Sequence, residues 1–293
     1  MTKTAWVFPG QGSQSVGMGA DLAAIESASK RLETASEVLG WSVLDVCQSD
    51  EEKVSNTLYT QPCLYVIESI LVDLLGDRTE QPALVAGHSL GEYVALYAAR
   101  VFDFEAGLRL VKRRAELMSE ASDGMMAALM GFDRDELDTL LEKTEGVVLA
   151  NDNNSGQVVV SGTPDAVQSL MESIKAKRKV PLKVSGAFHS PLMAEAAQDF
   201  GAVLEAVDFK TATIPVMSNV DPTPETNADQ LKERLKQQMT GSVRWREISL
   251  RLPEEGIDTV IEVGPGNVLT GLIKRTCSGL TLKNVKSSAD LPA

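Results

Sequence analysis

Histidine is the scarcest chemically useful residue in this 293-residue chain, with only His88 and His189 present. Cysteine is nearly as sparse. Cys47, Cys63 and Cys277 are scattered and form no CxxC pair, which excludes a disulfide framework and the ligand spacing of a dedicated zinc site. Positive charge is short as well. Lys and Arg total 28 against 41 Asp and Glu, and the net charge of -13 argues against nucleic acid as a partner, because phosphates call for a basic surface. No apolar run reaches the roughly 18 residues that span a bilayer. The opening MTKTAWVF is broken by Pro9-Gly10, so it reads as a first strand and not as a signal peptide. These absences predict a cytoplasmic protein in a reducing compartment, with no metal and no membrane partner.

What is present has the balance of a soluble globular protein, 43% hydrophobic and 24% charged. The length suits one large domain, or one with a smaller insert. Through residue 123, short apolar runs alternate with helical stretches. Strands are expected at 4–8 and 83–86, and helices at 25–39, 61–75, 92–99 and 104–119. That alternation implies a parallel sheet covered by helices. From Gly124 the pattern becomes strand 125–130, helix 134–143, strand 147–150, a turn through Asn151–Gly156, strand 157–161, helix 164–175 and strand 180–184. This is the ferredoxin-like βαββαβ order. The expected division is therefore a large α/β domain of residues 1–123 and 186–293, with a small ferredoxin-like domain, 124–185, inserted in it. After the insert come a helix following Pro191, a strand near 214–217, helices near 228–239 and 245–252, a strand at 259–263, a last helix and a frayed tail from Ser287. Lys175, Lys177, Arg178, Lys179 and Lys183 crowd into nine residues, as a solvated helix end or as a docking patch for an acidic partner.

Both histidines lie in motifs that suggest chemistry. Gly87-His88-Ser89-Leu90-Gly91 matches the G-x-S-x-G nucleophile elbow, between an expected strand and an expected helix as the motif requires. A serine needs a base, and histidine titrates in the useful range. His88 adjoins Ser89 in the turn and would point elsewhere, which leaves His189 in Gly186-Ala187-Phe188-His189-Ser190. No acidic residue is placed convincingly as a third triad member, and a backbone carbonyl could orient the imidazole instead. The loop Pro9-Gly10-Gln11-Gly12-Ser13-Gln14 follows the first strand. It lacks the endings of nucleotide-binding loops, but its amides lie where ligands bind at the carboxyl edge of a parallel sheet and could stabilise an oxyanion. In the helix 104–119, Leu110, Arg114 and Met118 share a side. An inward arginine calls for a carboxylate or phosphate.

Six segments, FPGQGSQ, GHSLGEY, LVKRRAELM, NNSGQVVVSG, GAFHS and EVGPGNVLTGLIKR, together resemble the malonyl-CoA:acyl carrier protein transacylases, in that family's order over nearly the whole chain. The resemblance implies a hydrolase-like α/β domain with a ferredoxin-like insert, and malonyl transfer by a serine–histidine acyltransferase in fatty acid synthesis. It implies Ser89 as nucleophile, His189 as base, the amides of Gln11 and Leu90 as oxyanion hole, and Arg114 as partner of malonyl's free carboxylate. Gln238 would orient the histidine through its main-chain carbonyl. Phe188, before the histidine, looks like the malonyl-selecting version, and Met118 and Asn153 join Arg114 in the expected substrate site. Gly241-Ser242-Val243 departs from the family, which often has proline before the valine. The implied partners are malonyl-CoA and, transiently, acyl carrier protein, with the chain itself a monomer. No cofactor is expected, since the coenzyme A thioester is a substrate and phosphopantetheine belongs to the acceptor. A serine thioesterase or lipase shares the elbow and the histidine but has no use for the arginine. A binding module that has lost its chemistry would have no need of Ser89 and His189.

Overall fold

A computed structural model describes residues 3–121, 123–184 and 186–292. Strand β1 (Thr4–Phe8) is followed by helices α1 (Glu26–Leu39), α2 (Val43–Cys47), α3 (Glu51–Val54) and α4 (Thr57–Gly76). Then come β2 (Leu84–Gly87), α5 (Gly91–Ala98) and α6 (Phe104–Glu120). A second group comprises β3 (Met125–Phe132), α7 (Arg134–Lys143), β4 (Val147–Asn154), β5 (Gln157–Gly162), α8 (Pro164–Ser173) and β6 (Ala176–Pro181). The chain ends with α9 (Ala194–Glu205), β7 (Val216–Met217), α10 (Ala228–Gln238), α11 (Trp245–Glu254), β8 (Thr259–Val263), α12 (Val268–Thr276) and β9 (Thr281–Val285).

The central sheet runs β7-β2-β1-β8-β9 with every pairing parallel. Strands β1, β2, β7 and β8 bury both faces, as a parallel sheet between helical layers must, while edge strand β9 is buried only at its end. Trp6, Phe8, Val85 and Val263 point to the core beneath α1, α4 and α6. Ala5, Val7, Ala86 and Val260 point to the core formed with α11 and α12. The long apolar α4 meets the length and composition of a membrane span, but 83% of that window is buried inside the protein. It is the core helix of the fold.

The second sheet, β4-β5-β3-β6, is antiparallel, and its strands lie within residues 125–181. Leu129, Val158 and Val160 pack under α7 and α8, while Met126, Ala128, Ala150 and Val159 join the main core. Alternation along each strand thus serves both partners. A short parallel bridge between Asn151 and Val243 fastens the small sheet to the large domain. The architecture is the hydrolase-like α/β domain with a ferredoxin-like insert. Of the expected boundary residues at 124 and 185, Ser185 lies outside the described residues.

Local expectations differ in four places. Asn151–Asn154 is strand and not turn, because tertiary contacts override the turn preference of Asn and Asp. Asp152 there bridges Arg134 (3.1 Å) and Arg246 (3.3 Å). The lysine run is not a helix end, since α8 stops at Ser173 and the run spans the link at Lys175, edge strand β6 and the segment after it, so the strand expected at 180–184 lies earlier, at Ala176–Pro181. Lysines on an edge discourage pairing with another sheet. Helices α2 and α3 and strand β9 were not anticipated, although Ser42 and Asp50 are sound N-caps for the two helices. Through Pro292, the last described residue, the tail is not frayed: Leu291 is buried, and the Ser288 amide donates to Asp21.

Candidate active site

The site is built at the turn between β2 and α5. Ser89 adopts left-handed backbone angles, φ 51°, a conformation that costs a non-glycine residue on the order of 1 kcal/mol or more and that persists when its surroundings impose it. Two glycines allow that turn. A methyl on Gly91 would run into the Phe8 carbonyl, and one on Gly87 into the Gly91 carbonyl carbon. Asn219, just past β7, ties the turn down: its Oδ1 accepts from the Ser89 amide (2.7 Å) and its Nδ2 donates to the Gly87 carbonyl (2.6 Å).

His189 is buried where the chain returns from the small sheet, also left-handed at φ 57°. Its Nε2 lies 2.8 Å from Ser89 Oγ. Its Nδ1 faces two carbonyls, Gln238 at 2.9 Å and Gly241 at 3.1 Å. Carbonyls only accept, so Nδ1 carries the hydrogen and Nε2 presents a lone pair to the serine. The acceptors are the end of α10 and the loop beyond it, where helix carbonyls lack internal partners. Burial, then the nearby Arg114 charge, lowers the His189 pKa to about 3, so the imidazole is neutral at pH 7. His88 turns away, its Nε2 2.9 Å from Asn153 Oδ1 and its ring 5.6 Å from that of Trp245. Asn153 therefore lies against the back of the elbow, on His88.

Arg114 comes from the buried face of α6, with Leu108, Val111, Ala115 and Met118. It donates to Gln61 Oε1 (2.6 Å), Ser89 Oγ (3.0 Å) and Gln238 Oε1 (3.2 Å), and lies 5.3 Å from the Tyr93 ring centroid. Every one of those bonds ends on a neutral atom. A guanidinium 99% removed from water without a bonded carboxylate is an open place for an anionic ligand. Met118 approaches Gln61 Nε2 through its sulfur (3.3 Å), and Phe188 is buried beside His189. Arg113 points elsewhere and pairs with Glu116.

The first loop lies against the elbow: a methyl on Gly10 would sit 3.6 Å from the Leu90 amide nitrogen and clash with the His88 carbonyl. Gln11 is next in the chain, its side chain held by Thr57 (3.1 Å). Leu90 is the N-cap of α5, so its amide belongs to the helix start, where N–H groups lack intrahelical partners. The geometry brings a neutral base (2.8 Å) and a cation (3.0 Å) onto the nucleophile's oxygen, with two candidate oxyanion donors on the adjoining loop and helix start.

Sequence reasoning missed Asn219, Glu92, Gln61 and the amide of Gln238. Asn219 and Gln238 reach the elbow from 130 and 149 residues away, and Gln61 reaches Arg114 from 53, and such distant contacts leave no spacing pattern. The one available signal was Glu92 itself, an acid in the first turn of a helix otherwise buried.

Comparison with known proteins agrees with this construction. The model of the acyl transferase domain family matches residues 5–292. A malonyl CoA-acyl carrier protein transacylase from Synechocystis sp. is 60% identical over 99% of both chains, and the crystal structure of the Synechocystis enzyme superposes with a TM-score of 0.97, at 59% identity over 98% of each. A transacylase of the same name from Bacillus subtilis is 42% identical over 94% of this chain and 90% of its own. A malonyl-transacylase solved in complex with a type II polyketide acyl-carrier protein is 37% identical, with a TM-score of 0.94 over 99% of this chain and 97% of its own. With the fold, the dyad and the arginine already in place, these likenesses put the chain in the acyl transferase domain family, among the malonyl CoA-acyl carrier protein transacylases.

Proposed function

We propose that the protein moves the malonyl group of malonyl-CoA onto the phosphopantetheine thiol of acyl carrier protein, through a malonyl-serine intermediate, and so supplies extender units for fatty acid synthesis. One observation carries the substrate choice: a buried guanidinium, free of any bonded carboxylate, stands 3.0 Å from the serine oxygen that the histidine approaches at 2.8 Å. A thioester with a free carboxylate at its far end fits that pair. A serine thioesterase or lipase leaves the arginine without a partner.

In this reading His189 Nε2 takes the Ser89 proton as Oγ attacks the thioester carbonyl. The Gln11 and Leu90 amides stabilise the tetrahedral oxyanion. The carbon–sulfur bond then breaks, and the imidazolium returns the proton to the leaving coenzyme A thiolate. The second half reverses the roles, with His189 deprotonating the carrier thiol and Ser89 Oγ leaving. Arg114 holds the malonyl carboxylate throughout, with Phe188 and Met118 lining the pocket. The reading also places the protein in the cytoplasm as a monomer, with the domain division 1–123 and 186–293 around 124–185, and it calls on no metal or resident cofactor. A grid of initial rates over both substrates tests the two-step order: parallel reciprocal plots are expected, and intersecting lines would contradict a covalent intermediate.

A further inference from the structure

Glu92 is unused by this mechanism, yet it is 99% buried behind the elbow, bonded to residues that hold the serine and the histidine. Its Oε2 accepts from Gln238 Nε2 at 2.8 Å and from the Asn219 amide at 3.1 Å. Gln238 is a junction. Its main-chain carbonyl holds His189, its Oε1 accepts from Arg114, and its Nε2 donates to the Ser89 carbonyl (2.9 Å) as well as to Glu92. Asn219 in turn holds the Ser89 amide. One carboxylate thus stands a single residue away from the serine, the histidine and the arginine.

Resting on the malonyl-transfer reading, we propose that Glu92 is a positioning residue whose negative charge balances Arg114 through the Gln238 side chain without bonding it directly, which leaves Arg114 Nε unpartnered and its other donors on neutral, displaceable acceptors for the substrate carboxylate, and that the same link holds His189 in register with the elbow. A direct Arg–Glu pair would stabilise the empty site better but would occupy the place the substrate needs. Oε2 accepts two N–H donors, as an ionised carboxylate oxygen can. Burial outweighs the opposing pull of Gln238, Asn219, Ser218 and the Arg114 charge, so the Glu92 carboxyl is raised above its ordinary value.

The test is Glu92→Gln, which keeps the shape and removes the charge. Without the competing carboxylate, Arg114 should hold malonyl more tightly and His189 less well. KM for malonyl-CoA should fall roughly threefold or more, while kcat falls about tenfold and KM for acetyl-CoA stays put. Equal changes in KM for both thioesters, or no change in either, would overturn the proposal. A stability cycle reads the charge link without any substrate. Glu92→Gln and Arg114→Met should each destabilise the fold, and together by less than their sum. Additive losses would overturn the proposal even if malonyl transfer is intact. Failure of wild-type acylation by malonyl-CoA would instead strike the functional reading and leave the cycle standing. Should Glu92→Gln not fold, Gln238→Met cuts the same link and keeps the carbonyl on His189. It must show the same split between KM and kcat, and wild-type constants would overturn the proposal.

Discussion

A guanidinium against the serine of the elbow acts on specificity by what it is waiting for. In the proposed function malonyl's carboxylate gives Arg114 a charge-assisted partner. Acetyl leaves it on the neutral acceptors it already has in the empty site, so the buried charge stays without the pair that malonyl supplies. Arg114→Ala should therefore lose malonyl transfer steeply and keep or gain acylation from acetyl-CoA. Retained preference for malonyl in a competition assay would make Arg114 structural. The base makes a second demand. His189 must be neutral to accept a proton, and its pKa of about 3 lies below the ordinary histidine value. Activity present above that value is lost only as pH falls toward it. kcat/KM for malonyl-CoA should thus hold level from about pH 8 to about pH 5, where an unperturbed histidine would halve the rate near 6.5. A half-loss near that ordinary value would show that the free enzyme's imidazole is solvated.

At the scale of elements, the elbow is a packing problem solved by two glycines and an asparagine. Gly91→Ala would drive a methyl into the Phe8 carbonyl of β1. It should disorder the turn, costing a few kcal/mol of stability and most of the acylation. A variant that melts and acylates like wild type would refute that account of the turn. This local logic was legible in the sequence, because strand, G-x-S-x-G and helix are contiguous. So were the inward Arg114, on its helical spacing, and the βαββαβ order. Composition misled where tertiary contacts decide. Asn151–Asn154 reads as turn, but Asp152 is held by two arginines and Asn153 by His88. The lysine run reads as a helix end but is an edge strand. The missing acid was anticipated as a carbonyl, whereas the Glu92–Gln238–Asn219 scaffold behind it depends on contacts that no local pattern encodes.

For the whole molecule, the governing fact is a net charge of -13 facing an acceptor expected to be a small acidic protein. Long-range repulsion has to be offset locally. Lys175, Lys177, Arg178 and Lys183 are exposed on and around β6, the open edge of the small sheet. Reversing two of them, Lys177→Glu with Arg178→Glu, should raise KM for carrier protein about three- to tenfold and leave KM for malonyl-CoA unchanged, with the difference shrinking as salt is added. Carrier kinetics indifferent to both the reversal and the salt would remove this edge as the docking face.

The central claim is a malonyl ester on Ser89, and intact-protein mass spectrometry after mixing with malonyl-CoA tests it most directly. The account predicts one malonyl adduct, mapped to Ser89, discharged on adding holo acyl carrier protein, and absent from Ser89→Ala, whose transfer rate should drop on the order of 10³-fold or more. Near-normal transfer by Ser89→Ala, or an adduct on any other residue, would contradict it.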